Sequence, residues 1–225
     1  MAGNPDQGFL VSTDSILAVA YAIVGLGIAL VLHEYARALA ATRLGDLSPK
    51  QAGRLTLSPR PLVDPFGTLL LPGILLLPIL FGHPFPVFAY AKPMPLNTWT
   101  LRRRDRDATL IALAGPAANV ALAFVFGALL RVAGSTGQAA VFLTDCLAVT
   151  LFLGIFNLVP IPGLDGSKIV ARFLSGRAQE VYSNLDQYLP LFVLLVFFLL
   201  PTPILSLVSA IAGGVCRLAA GIAHC

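Results

Sequence analysis

The sequence predicts an all-α integral membrane protein, a polytopic helical bundle with one re-entrant segment and short irregular cytoplasmic loops. Of its 225 residues 57% are hydrophobic and only 12% charged, and the mean hydropathy is +0.84, values far from those of soluble domains. The apolar residues gather in long uncharged runs and the basic residues fall between them, as topology signals do. The net charge of +4 and pI near 9.2 therefore do not predict a nucleic-acid partner, which would need a basic face or stripe. The bilayer itself is the first expected partner, and the chain is expected to be a multi-pass protein of the cell membrane.

The tail 1–14 carries Asp6 and Asp14 but no Lys or Arg, which argues against a cleaved signal peptide, so the first apolar run is expected to be retained. Uncharged runs follow at 15–32, 65–91, 108–130, 132–164 with Asp145 inside it, and 187–216. A span needs roughly 20 apolar residues, so the first, third and fourth runs predict helices over 15–43, 108–131 and 138–159. The second run holds Pro72, Pro78, Pro84 and Pro86 and has basic clusters on both flanks: Arg43, Lys50, Arg54 and Arg60 before it, Lys92, Arg102, Arg103, Arg104 and Arg106 after it. A single crossing would strand one cluster outside, so 65–91 is expected to dip in and return. The C-terminal membrane segment, 187–225, is broken by Pro201-Thr202-Pro203 and is expected to be either a kinked crossing or a hairpin. Cys146, Cys216 and Cys225 lack metal-ligand spacing and are expected to be small apolar fillers.

Residues 33–37 read His33-Glu34-Tyr35-Ala36-Arg37. On a helix, His-Glu-x-x-His sets two imidazoles on one face to bind Zn²⁺ while the Glu activates the metal-bound water; here the second imidazole position holds a permanent cation. With the basic-free N-terminus outside, the first helix ends inside, and the fourth run returns inward to a turn, 160–166, containing Pro160, Pro162, Asp165 and Gly166 after Asn157. Charge counting thus brings Asp165 to the same cytoplasmic face as His33 and Glu34. A carboxylate at membrane depth is costly unless paired with a cation or metal; the plainer alternative is a capping Asp at the head of a helix over 167–175.

Five ordered blocks, HEYARALAATRLGD (33–46), GRLTLSPRPLVDPFGT (53–68), YAKPMPLN (90–97), AGPAANVALA (114–123) and FNLVPIPGLDG (156–166), resemble the site-2 protease family of intramembrane zinc metalloproteases, in its compact-core bacterial branch, over residues 15–180. The resemblance implies a site-2-protease-like core. It implies His33 and Asp165 as zinc ligands and Glu34 as general base, with substrates that are transmembrane helices. In the Gly115 to Asn119 block it implies close helix approach at Gly115 and, for Asn119, either a polar role at the site or one interhelical hydrogen bond.

Two positions depart from the pattern: Arg37 stands at the second ligand position, and Leu62 where many relatives have His. A guanidinium cannot lose its proton or ligate Zn²⁺. Arg37 is instead positioned to pair with Glu34 at i−3 and to reach Asp165, standing in for the metal; the alternative is a side chain snorkelling to the interface beside a weakened zinc site, with His83 or His224 as the remaining imidazoles. Three function classes stay open: an active intramembrane metalloprotease, a pseudoprotease that binds transmembrane partners, and, last for want of internal repeats, a transporter or channel. The loop 92–107, with Trp99 and Leu101 among its arginines, is expected on the headgroup surface.

Overall fold

The computed structural model describes residues 13–81, 87–134, 136–199 and 201–221. The regular elements among the described residues are helical, with no strand. Three helices are long and apolar enough to cross a membrane: α1 (Thr13–Leu44), α4 (Arg104–Ala133) and α5 (Gln138–Asn157). The 20 residues of α5 rise about 30 Å, the thickness of a hydrocarbon core. These three pack pairwise on one another and form the centre of the molecule.

Helix α1 has Asp14 in its first turn and Arg43 in its last, each at the end where its charge opposes the helix dipole. It stops where Gly45 takes a φ of 111°, a left-handed value costly for any residue with a side chain. Asp46 follows, buried, and accepts from the backbone N–H groups of Ser48 at 2.9 Å and Asn97 at 2.8 Å. Burial works to raise its carboxyl, but these bonds hold it below the usual carboxylate range. They also tie the single-turn helix α2 (Ser48–Gln51) to the loop before α4.

The proline-rich second run folds as a π-helical turn, Pro65–Leu70, and the ten-residue α3, Leu71–Leu80, then returns extended from residue 87. Asp64 starts it by accepting from the N–H groups of Phe66 and Gly67. The outgoing and returning strands of chain are joined at one level: Tyr90 N donates to Gly67 O, Thr68 Oγ1 to Tyr90 O, and Lys92 N to Leu62 O. The helical part, Pro65–Leu80, is shorter than the roughly 20 apolar residues a span needs. His83, Pro84 and Pro86 lie outside the described residues.

Beyond α5 come α6 (Asp165–Ala171), α7 (Arg177–Asn184), α8 (Leu189–Leu199) and α9 (Pro201–Ala220). Helix α8 starts against Gly163, where an added Cβ would lie 2.5 Å from Leu189. Helix α9 packs on α4 and α5 and ends beside Arg131 in the last turn of α4, whose Nε and Nη2 donate to the carbonyls of Ala220 at 3.1 Å and Leu218 at 3.0 Å. Leu189 at the start of α8 thus lies at Gly163, and Ala220 at the end of α9 lies at Arg131. The core between α1, α4, α5 and the returning strand is filled by Phe88 and Phe156, with ring centroids 4.5 Å apart, and by Leu147, Leu151 and Leu153. Cys146 is a buried free thiol. Cys216 is disulfide-bonded, which corrects the expectation that all the cysteines are apolar fillers.

Arg131 caps the carbonyls that α9 leaves without helical partners. Arg131→Met is expected to cost about 1 kcal/mol and to speed amide exchange in the last turn of α9 first; unchanged exchange there would contradict this role.

Candidate functional site

The site is assembled at one end of the bundle from α1, α4 and the α5–α6 turn. His33, Glu34 and Arg37 share the inward face of α1, with only 2% and 5% of His33 and Glu34 exposed. Asp165, 4% exposed, is the first residue of α6. His33 Nε2 lies 2.8 Å from Asp165 Oδ2, and Asn119 Nδ2 lies 3.2 Å from His33 Nδ1. With Asp165 ionised and able only to accept, Nε2–H donates to it, and the Nδ1 lone pair accepts from the Asn119 amide. Asn119 is fully buried, and its contact with His33 is an interhelical hydrogen bond made at the site.

Arg37 closes the cluster. Its Nη1 donates to Glu34 Oε1 at 2.8 Å, and its Nε sits 3.2 Å from Asp165 Oδ1, close enough for an ion pair but poorly aligned for a hydrogen bond. Burial opposes ionisation of Asp165, yet Arg37 and His33 facing it hold its carboxyl below the usual range. Glu34 Oε2 and Asn119 Oδ1 are buried without a protein partner.

Small residues let the helices come this close. A Cβ on Gly115 would stand 2.4 Å from His33 Nε2, so α4 can pass the imidazole only with glycine there. A Cβ on Gly166 would stand 2.2 Å from the Leu158 carbonyl, so the turn can fold back onto the end of α5 only with glycine. Pro160 and Pro162 have no N–H to continue α5, and the Pro160 carbonyl accepts from Tyr182 Oη at 2.9 Å. Asn157, the last residue of α5, donates to Leu153 O at 2.8 Å. It faces a cavity of about 390 Å³ that also takes in His33, Glu34, Arg37, Asp165 and the returning strand 89–94.

Two further residues contribute to the site. Asp186 accepts from Gly163 N at 2.7 Å and pairs with Lys168, clamping the turn that presents Asp165; it lies 21 residues beyond Asp165 in an ordinary polar stretch. Arg54 is 5% exposed, donates through Nη2 to Pro93 O at 3.1 Å and leaves Nη1 without a partner. Burial pulls its guanidinium down, offset in part by the charge of Glu34. Leu62 is buried, and His83 and His224 lie outside the described residues.

The donor set does not fit zinc. A catalytic zinc takes three protein ligands and a water. Here the imidazole nitrogen that would ligate is bound to the carboxylate that would ligate, and a fixed cation contacts both carboxylates. Among the described residues no three His, Cys, Asp or Glu side chains are grouped to hold a metal ion.

A helical membrane bundle that brings a helix-borne His-Glu to the Asp of an Asp-Gly turn has the layout of a membrane metalloprotease. Residues 133–201 match the family model described as Peptidase family M50. "Putative zinc metalloprotease YwhC" of Bacillus subtilis is 31% identical over 191 residues, covering 80% of this chain and 81% of that one. "Putative zinc metalloprotease Rip2" of Mycobacterium tuberculosis is 35% identical over 182 residues, covering 80% of this chain and 67% of its own length. Its namesake in Mycolicibacterium smegmatis is 32% identical over 206 residues, covering 87% and 74%. No solved structure matches the chain. The chain belongs to peptidase family M50, the site-2 protease family, whose named relatives imply zinc as the family's metal.

Gly115→Ala is expected to force His33 off Asp165 and to lower stability by about 1–3 kcal/mol, the usual cost of overpacking. Thermal unfolding in detergent measures it, and a wild-type melting point would mean that α4 does not press on the imidazole.

Proposed function

We propose that this protein is a non-hydrolysing member of the M50 family, which holds a transmembrane segment of a partner protein in the cavity beside His33 and keeps its two buried carboxylates together with Arg37 instead of zinc. The observation that carries the reading is the guanidinium set between Glu34 at 2.8 Å and Asp165 at 3.2 Å. A general base must be free to take a proton from water. Glu34 Oε1 here accepts from the Arg37 guanidinium, and His33 and Asp165 are bonded to each other.

Partner binding is supported by the cavity wall. Tyr90 and Lys92 direct their backbone bonds to Gly67 and Leu62. Among the described residues none of the backbone bonds uses Ala89 or Ala91, which line the cavity with Pro93. A stretch of chain with alternate backbone groups unpaired can pair with an unwound peptide segment. The basic residues around this end of the bundle, Arg43, Lys50, Arg60, Arg102–Arg104 and Arg172, support a cytoplasmic orientation for it by the positive-inside rule.

The test is the metal content of purified protein by elemental mass spectrometry, with Arg37→His measured beside it and both incubated with a transmembrane peptide. The unaltered protein is expected to hold no stoichiometric zinc and to leave the peptide intact. Arg37→His, which restores a His, His and Asp ligand set, is expected to acquire close to one equivalent. Stoichiometric zinc with peptide cleavage in the unaltered protein would overturn the reading.

A further inference from the structure

We propose a second site on this protein, separate from the His33 cavity: a seat for the headgroup of a bis-phosphate lipid of the cardiolipin type, formed where the end of α1 meets the start of α4. Arg43, Arg102, Arg103 and Arg106 converge there around a cavity of about 280 Å³, with Leu44, Asp107 and Leu110 completing the wall. The arginines come from elements about 60 residues apart in sequence, so local sequence crowding does not account for their meeting.

Charge balance identifies the ligand. Among the described residues none of these four guanidiniums is paired with a carboxylate. The one acid in the wall, Asp107, is buried and accepts from the backbone N–H of Arg103 at 2.9 Å. Asp105 is turned away toward Gln179, and Arg104 lies over the Trp99 ring at 4.1 Å, so neither neighbour changes the tally. Four cations against one carboxylate leave a net charge of +3, a repulsive arrangement that phosphate oxygens relieve through bidentate contacts.

The position favours a lipid over a soluble anion. Arg43 lies ten residues, about 15 Å, beyond His33 along a membrane helix, at the level where headgroups sit. Leu110 in its wall is 41% exposed, an apolar surface for acyl chains. A headgroup with two phosphates answers two of the three excess positive charges and its four chains meet the flanking apolar surface; a single-phosphate lipid answers only one.

The experiment is native mass spectrometry of the full chain in detergent, titrated with cardiolipin, with phosphatidylglycerol at equal phosphate, and with inorganic pyrophosphate. Cardiolipin is expected to be retained most tightly. Arg43→Gln/Arg106→Gln is expected to weaken it about thirtyfold, from the energy of one cation near an anionic lipid taken twice. Lys50→Gln/Arg60→Gln removes the same charge from the same end of the bundle outside the cavity, and is expected to leave retention unchanged. Equal weakening by both pairs, equal retention of phosphatidylglycerol, or pyrophosphate bound as tightly as cardiolipin would each overturn the assignment. The lipid comparisons on the unaltered protein decide the matter even if the arginine variant does not fold.

Discussion

The guanidinium of Arg37 is the contact on which the site depends. Glu34 and Asp165 are both nearly inaccessible to water, and two carboxylates brought together in a low-dielectric interior repel one another and lose their hydration. A cation must stand between them or one must take up a proton. Arg37 supplies that cation from the same helix as Glu34, so the pairing is local on one side and tertiary on the other. It thereby joins α1 to the turn before α6. The parts that bring the second carboxylate within reach follow from this: glycine at 166 so that the turn can fold on α5, Asp186 to clamp Gly163, and glycine at 115 so that α4 can approach His33.

An arginine differs from a zinc ion in ways that bear on what the site does. Zinc carries two charges, accepts lone pairs and acidifies a bound water. A guanidinium carries one charge, only donates hydrogen bonds and leaves water unactivated. The smaller charge leaves more for other groups to do. Asp165 takes the His33 Nε2–H, Asn119 supports the other imidazole nitrogen, and Arg54 adds a second buried cation on the Glu34 side. At Arg37 the chain thus carries a hydrogen-bond donor with a fixed charge and no lone pair for a metal.

Much of this was readable in the sequence, and the reason is physical. Uncharged runs of bilayer length announce the spanning helices, because any membrane helix must satisfy its backbone internally and its side chains in lipid. The distribution of Lys and Arg brought Asp165 to His33 across more than 125 residues, because both ends of a crossing are constrained by charge. Residues whose role depends on local approach were not readable. Asp186 acts through a single turn whose path no periodicity reveals, Arg54 reads as one more interfacial cation, and the contact of Gly115 with the imidazole needs the crossing point of α1 and α4. The disulfide at Cys216 was also missed, since cysteine spacing does not determine pairing.

The central claim is that Arg37 holds the two carboxylates as a metal would. The most direct measurement is a double-mutant cycle on unfolding free energy in detergent, Arg37→Met against Asp165→Asn. Arg37→Met alone should cost roughly 3–5 kcal/mol, as removal of one partner from a buried pair does. The double variant should recover a good part of that loss, with a coupling of about 2 kcal/mol or more. Strictly additive costs would mean that Arg37 contributes only its stem to packing and that the carboxylates are held by something else.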